Sequence, residues 1–247
     1  MQFHKHKNGD RLAYHEVIGS GPTVIWCGGL KSDMEGGKAI HLHKWAERNH
    51  HSYIRFDYFG HGHSDGDFIE GTISRWASDV CEVIDFAPHE NIVLIGSSMG
   101  GWASLLAALE KPERVKGLVL IAPAPDFTEK LTYAGFSEQQ KEDLETDGVV
   151  YLPSDYDEPY AYSKALIEDG RARQILGAPI EFLGPVRILQ GADDGVVPWD
   201  YALQLIHKLQ STDVSYALVK GGDHSLSRPQ DLERLEETLT EILRSIV

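Results

Sequence analysis

Short apolar runs alternate with amphipathic stretches along most of this chain. A continuous apolar run such as 91–96 is typical of a parallel strand that is buried on both faces. A stretch such as 72–86 places its apolar residues on one face at helical spacing, which predicts a helix. By the same criteria, strands are predicted at 23–27, 52–58, 91–96, 116–121, 186–190 and 214–220, and helices at 36–49, 72–86, 99–110, 199–209 and from 229 onward. Such alternation predicts an α/β fold, a parallel sheet with helices on both faces, and an Asn-Gly turn predicts an antiparallel hairpin at 3–18.

Residues 126–182 interrupt this alternation and are rich in aromatic side chains. The segment is predicted to be a mostly helical cap over the carboxyl ends of the strands, where open α/β sheets bind their ligands. The core domain is then formed by residues 1–125 and 183–247. The alternative is a pair of crossover helices with long loops. The aromatic residues are Phe127, Tyr133, Phe136, Tyr151, Tyr156, Tyr160, Tyr162 and Phe182.

Composition and charge exclude several classes of function. The 247 residues are 42% hydrophobic and 25% charged, which is ordinary for a soluble globular protein. The 23 basic and 38 acidic residues give a net charge of −15, which argues against nucleic acid or an anionic membrane surface as a partner. No apolar run approaches the roughly 18–20 residues of a membrane-spanning helix. Two cysteines and an N-terminus without an apolar signal core predict a cytoplasmic protein.

The strongest chemical motif is Gly-Ser-Ser-Met-Gly-Gly at residues 96–101. It lies between a predicted strand and a predicted helix, which is the setting of a G-x-S-x-G nucleophile elbow. Ser98 would then be a strained nucleophile at a helix N-terminus, where partial positive charge favours a developing anion. Gly101 is expected to let the helix pack close to the sheet. The alternative is a glycine-rich turn with a passive serine.

A serine nucleophile needs a base and an orienting carboxylate. In this fold they follow the serine in the order acid, then histidine, each after a later strand. His224 follows the strand at 214–220, although a histidine in an exposed loop is the alternative. Asp193 and Asp194 both follow the strand at 186–190, and only one of two neighbouring residues on an extended segment can face the histidine.

An oxyanion hole needs two hydrogen-bond donors near the nucleophile. One is the backbone N–H of the residue after it, Met99, and the other comes from the loop after an earlier strand. The Cys-Gly-Gly-Leu sequence at 27–30 occupies that place, and the Leu30 N–H is predicted as the second donor. Gly29 is the alternative donor.

The chain resembles the α/β-hydrolase superfamily over essentially its whole length. Beyond the serine motif, residues 55–64 look like the superfamily's D-x-x-G-x-G-x-S turn, and residues 191–198 look like its G-x-x-D-x-x-V-P acid loop. The resemblance implies an α/β-hydrolase fold with a mostly parallel eight-stranded sheet. It also implies that Ser98, Asp194 and His224 occupy the triad positions, which selects Asp194 over Asp193.

A narrower resemblance concerns the group around mitochondrial α/β-hydrolase domain-containing protein 10. It is carried by residues 29–34, 55–58, 96–102 and 125–129. The group implies serine esterase and acyl-protein thioesterase activities, including cleavage of acyl glucuronides and S-palmitoyl thioesters. No transit segment is predicted at the N-terminus, so the mitochondrial address of the group is not expected to carry over. The chain also has Cys27-Gly28 where many α/β-hydrolases have His-Gly.

Other motifs do not predict a cofactor or a metal. The histidine pairs 41/43, 50/51 and 61/63 lack the three convergent ligands of catalytic zinc, and no P-loop sequence is present. Cys27 is interpreted as a small buried hydrophobic residue.

The predicted function is therefore that of a cofactor-free serine hydrolase. Residues 126–158 contain ten acidic and two basic residues, which disfavours polyanionic acyl donors and favours a neutral or hydrophobic acyl group. The expected substrate is a small-molecule ester or thioester, with an acylated protein as an alternative. A carbon–carbon bond hydrolase, a haloperoxidase-like enzyme and a non-catalytic small-ligand-binding module are the alternative functions.

Overall fold

The computed structural model describes residues 1–153 and 159–246. These residues form ten strands: β1 (Gln2–Lys5), β2 (Arg11–Val17), β3 (Ser20–Cys27), β4 (His51–Phe56), β5 (Ile92–Ser97), β6 (Val115–Ile121), β7 (Val149–Leu152), β8 (Tyr160–Ser163), β9 (Val186–Gly191) and β10 (Val214–Val219). They also form seven α-helices: α1 (Gly37–Asn49), α2 (Ile73–Phe86), α3 (Met99–Glu110), α4 (Glu138–Asp147), α5 (Lys164–Ala172), α6 (Trp199–Lys208) and α7 (Pro229–Ser245). Every predicted strand and helix of the core is present, with ends that differ by a few residues at most.

Local sequence signals account for several helix starts. The side chain of Thr72 accepts a hydrogen bond from the backbone of α2, and the side chain of Ser163 does the same for α5. Ser137 and Gln140 form a capping box at the start of α4. Pro229 occupies the first turn of α7, where its missing N–H costs nothing.

Eight of the described strands form one sheet in the order β1-β2-β4-β3-β5-β6-β9-β10. The six strands from β4 to β10 in that order are parallel to one another, whereas β2 pairs antiparallel with both β1 and β4 at one edge. This confirms the predicted α/β-hydrolase fold and its edge hairpin. The parallel arrangement brings the carboxyl ends of β3, β5, β9 and β10 to one edge of the sheet, where their following loops meet.

The core has two layers, one on each face of the sheet. Along β5, Leu94 packs in the layer formed with α2 and α3, whereas Val93 and Ile95 pack in the layer formed with α1 and α7. Burial on both faces explains why the sequence of β5 is apolar at consecutive positions rather than at alternate ones.

The segment between β6 and β9 contains α4, a hairpin of β7 with β8, and α5. It has a small apolar cluster of its own, formed by Phe136, Leu144, Val150 and Ile167. The hairpin was not predicted, since strands of four residues are too short to show a clear periodicity. Among the predicted cap aromatics, Tyr156 lies outside the described residues.

Candidate active site

Ser98 occupies the sharp connection between β5 and α3. Its backbone has φ 54° and ψ −119°, a conformation that residues other than glycine rarely adopt. Hydrogen bonds fix this conformation, because the Ser98 N–H donates to the Ile121 carbonyl at 2.9 Å and the Ser98 carbonyl accepts from the Gly101 N–H at 2.9 Å. The residue therefore has the strained backbone expected of a nucleophile elbow.

Close packing at the elbow explains two of its glycines. A Cβ atom at Gly100 would lie 2.2 Å from the carbonyl oxygen of Cys27 and 2.3 Å from that of Gly28, so the elbow rests directly on the end of β3. A Cβ atom at Gly101 would lie 2.9 Å from Cβ of Pro123. A Cβ atom at Gly96 in β5 would lie 2.7 Å from Cα of Gly101, so α3 packs closely on the sheet at Gly101, as expected.

The side chain of His224 lies between Ser98 and Asp194. Its Nε2 atom is 3.1 Å from the Oγ atom of Ser98, and its Nδ1 atom is 2.8 Å from Oδ2 of Asp194. The carboxylate can only accept, so Nδ1 carries the proton and Nε2 presents a lone pair to the serine hydroxyl. Three loops that are distant in sequence thus bring one hydroxyl, one imidazole and one carboxylate into line.

Asp194 and its neighbour Asp193 occupy different environments. The Asp193 side chain is exposed, whereas the side chain of Asp194 is buried and contacts the imidazole. The Asp194 carboxylate also accepts hydrogen bonds from the backbone N–H groups of Val196 and Val197, both at 2.8 Å. Burial raises the pKa of Asp194, but the hydrogen bond from His224 and the two amides outweigh it, so the net pKa lies below the ordinary value.

The loop with the predicted second oxyanion donor lies against the nucleophile. A Cβ atom at Gly29 would be 3.5 Å from Cβ of Ser98, so the two backbones approach closely. Within the described part of the chain, no protein group accepts a hydrogen bond from the N–H of Leu30 or of Met99. Both groups are therefore available as donors, and Gly29 remains the alternative to Leu30.

Sequence reasoning assigned no role to two residues that hold these loops. Gln190 is fully buried at the end of β9 and donates from Nε2 to Oδ2 of Asp194 at 2.8 Å. Asp57 is also fully buried and accepts from the backbone N–H groups of Met34 at 2.6 Å and His63 at 2.8 Å. The available signal was a polar residue at the end of an apolar strand in each case, because a buried polar side chain needs partners.

The structure also bears on Cys27 and on metals. Burial raises the pKa of the Cys27 thiol to about 12, against the smaller opposite effect of hydrogen bonds with Ser104 and Tyr58. Cys27 is therefore a neutral thiol at neutral pH. A nucleophilic cysteine must be a thiolate, so Cys27 is not a nucleophile. In the parts of the chain that the structure describes, no three His, Cys, Asp or Glu side chains are grouped to hold a metal ion.

Comparison with known proteins gives consistent matches. A family model described as serine aminopeptidase, S33, matches residues 23–142. Palmitoyl-protein thioesterase ABHD10, mitochondrial, of Bos taurus is 35% identical over 234 residues, which cover 94% of this chain and 76% of that protein. The solved structure of α/β-hydrolase domain-containing protein 10 from mouse superposes with a TM-score of 0.91 at 32% identity, covering 100% of this chain and 99% of that one. The chain belongs to the ABHD10 family of α/β-hydrolases.

A bacterial structure is similar to the same degree. The putative hydrolase from Agrobacterium vitis S4 has a TM-score of 0.92 and 39% identity, covering 98% of this chain and 97% of that one. The chain is thus a serine hydrolase. No helix among the described residues is both long and apolar enough to span a membrane. Because the Bos taurus relative is named mitochondrial, the cytoplasmic location stays a prediction.

Proposed function

We propose that this enzyme hydrolyses a carboxylic ester or thioester of a neutral or hydrophobic acyl group, with Ser98 as the nucleophile. The observation that carries the proposal is the alignment of Ser98 Oγ, the His224 ring and the Asp194 carboxylate at 3.1 Å and 2.8 Å. Those are the distances at which a histidine can take the proton of a hydroxyl while a carboxylate holds the ring.

The first half of the reaction acylates the serine. His224 takes the Ser98 proton at Nε2 while Oγ attacks the acyl carbon, and the Asp194 carboxylate stabilises the imidazolium that forms. The N–H groups of Leu30 and Met99 donate to the oxyanion of the tetrahedral intermediate. The imidazolium then protonates the leaving alcohol or thiol, and the acyl group stays on Ser98.

The second half of the reaction releases the acid by the same groups. His224 removes a proton from water, which attacks the acyl-enzyme, and the returned proton restores the Ser98 hydroxyl. No cofactor is required, because the serine supplies the nucleophile and the histidine carries every proton. If the second half is slower than the first, the alcohol or thiol appears in a burst.

The proposed acyl group follows from the segment at 126–182, which we propose to be a cap over the site. Its described acidic residues include five on α4, among them exposed Glu142 and Asp147, so a polyanionic thioester would meet like charge. Three further acidic residues of the segment 126–158 lie outside the described residues. A neutral acyl chain meets no such penalty, and the Bos taurus relative is named a palmitoyl-protein thioesterase. An acylated protein is therefore included among the proposed substrates.

A matched pair of serine variants tests the nucleophile. Ser98→Ala is expected to lower kcat on p-nitrophenyl esters by roughly a million-fold and to abolish labelling by a fluorophosphonate probe. Ser97→Ala, which changes the neighbouring serine, is the control and should retain labelling. Retention of most of the turnover in Ser98→Ala would refute the mechanism.

A panel of substrates tests which type of bond the enzyme cleaves. The wild-type enzyme is expected to cleave p-nitrophenyl esters and acyl thioesters of medium and long chains, and to discriminate against acyl-coenzyme A. Preferential cleavage of dienoic ketones would instead identify a carbon–carbon bond hydrolase on the same triad.

A further inference from the structure

The predicted oxyanion donor Leu30 lies in a tight turn with an unusual residue. The Ser32 N–H donates to the Gly29 carbonyl at 3.1 Å, which closes a β-turn over residues 29–32. Lys31, the third residue of the turn, has φ 58°, whereas Leu30 is not among the positive-φ residues. That combination defines a type II turn, whose third position normally favours glycine or asparagine. A lysine there needs an external contact to keep the turn from relaxing.

His61 supplies that contact. Its Nε2 atom lies 3.1 Å from the backbone nitrogen of Lys31, and its Nδ1 atom lies 3.1 Å from the carbonyl oxygen of Phe59. A carbonyl can only accept and a backbone N–H can only donate, so the ring must carry its proton on Nδ1 and leave a lone pair on Nε2. The two partners thus fix both the tautomer and the direction of the ring.

The carbonyl on the other side of His61 is itself held firmly. Trp76 donates to the Phe59 carbonyl from Nε1 at 3.1 Å, and the Phe59 N–H donates to the buried carboxyl of Asp79 at 2.8 Å. The His61 ring packs edge-on against the rings of Tyr58 and Trp76, and the residue is only 4% exposed. His61 therefore connects a rigid part of the core to the turn beside the nucleophile.

We propose that His61 is a positioning residue of the oxyanion hole. Its Nε2 atom holds the peptide between Leu30 and Lys31 in the type II orientation, and this turn presents the Leu30 N–H beside Ser98. Without the acceptor, that peptide is free to flip, which relieves the positive φ of Lys31 and loosens the turn. The Leu30 N–H lies in the adjoining peptide between Gly29 and Leu30, which then loses its fixed direction beside Ser98. This inference rests on the proposed function, because it concerns the stabilisation of the oxyanion.

The protonation state of His61 supports the proposal. Burial lowers its pKa to about 4, so the ring is neutral at the pH values at which a serine hydrolase works. A protonated ring would place an N–H donor against the N–H of Lys31. The same burial argues against the His61/His63 pair as a metal site, since both nitrogens of His61 already have protein partners.

Two amide variants separate the two contacts of the ring. The side chain of His61→Gln can reach the Lys31 N–H with its oxygen, whereas the shorter side chain of His61→Asn can replace only the contact with Phe59. We expect His61→Asn to lower kcat by about 10- to 100-fold, less than the loss of a whole oxyanion donor, with little change in KM. The affinity for an alkylboronic acid, which forms a tetrahedral adduct on the serine, should fall by a similar factor. His61→Gln should retain most of the wild-type kcat and most of the affinity for the alkylboronic acid.

A second pair of variants tests the turn itself. In the His61→Asn background, Lys31→Gly restores freedom at positive φ and is expected to recover about tenfold in kcat. Lys31→Ala removes the same side chain but keeps the Cβ atom, so it is the matched control and should recover nothing. General damage to the fold would not distinguish glycine from alanine.

The outcomes separate this inference from the proposed function. If Ser98→Ala is inactive but His61→Asn keeps wild-type kcat and boronate affinity, the role of His61 is wrong and the serine mechanism stands. Equal rescue by Lys31→Gly and Lys31→Ala would also overturn it. If His61→Asn does not fold, the Gln variant still decides, because a large loss of boronate affinity in folded His61→Gln contradicts the proposal.

Discussion

The burial of His61 makes the free energy of unfolding depend on pH. In the folded protein, burial lowers the pKa of this side chain from its ordinary value of 6.5 to about 4. The unfolded chain therefore binds more protons than the folded one between these two values. It follows that the stability contributed by the neutral ring is present above pH 6.5 and is lost as the pH falls toward 4.

The size of this effect follows from the two pKa values. Each unit between the folded and unfolded pKa corresponds to about 1.4 kcal/mol, so the whole window is worth about 3 kcal/mol. Between pH 7 and pH 5, where only part of the window is crossed, the loss assigned to His61 is about 2 kcal/mol. That is a large fraction of the stability of a typical domain.

Urea unfolding at a series of pH values measures this loss. We compare the wild-type protein with His61→Gln, which cannot titrate, and with His63→Gln, which removes an exposed histidine from the same loop. Between pH 7 and pH 5, the free energy of unfolding should fall by about 2 kcal/mol more in the wild type and in the His63 variant than in His61→Gln. Identical pH slopes for the wild type and His61→Gln would show that His61 is not held neutral by burial.

Three further predictions concern the site and its support. Asp194→Asn should lower kcat by about 10,000-fold, because the amide favours the wrong histidine tautomer, whereas Asp193→Asn should leave the hydrolysis of p-nitrophenyl esters nearly unchanged. Gln190→Leu removes a hydrogen bond to the triad carboxylate and should lower kcat/KM by about tenfold in the same assay. Gly100→Ala would place a Cβ atom 2.2 Å from a carbonyl oxygen, and it should lower the free energy of unfolding in urea by more than about 3 kcal/mol. The Cβ atom of Gly37→Ala would have no neighbouring atom within 4 Å, so this control should leave the free energy of unfolding almost unchanged.

The sequence predicted the core of the fold well, for a physical reason. Strands such as β5 are buried on both faces and are apolar at consecutive positions, so their signal is local and strong. The helix at 99–110 was predicted to the residue, because the elbow motif defines its start. The hairpin of β7 and β8 was missed, since it is short and depends on an apolar cluster formed by residues distant in sequence.

The candidate site was predictable where chemistry follows chain order. The elbow, the acid loop and the histidine loop each follow a strand, and parallel strands end at one edge, so Ser98, Asp194 and His224 could be expected to converge. The choice of Asp194 over Asp193 depended on family spacing, and the structure shows its burial and its contact with the imidazole. The sequence shows Gln190 only as a polar residue at the end of an apolar strand, and it does not reveal that Asp194 is its partner.

By itself, the sequence determined the layered α/β core and the order of the candidate nucleophile, acid and base. The core is encoded in short apolar segments that form buried strands. The position of the candidate nucleophile is encoded in the glycine-rich turn at 96–101. Only the tertiary structure decided which buried polar side chains hold those segments in place. His61 contacts a backbone N–H 30 residues away, and such a contact exists only after the chain has folded and excluded water from it.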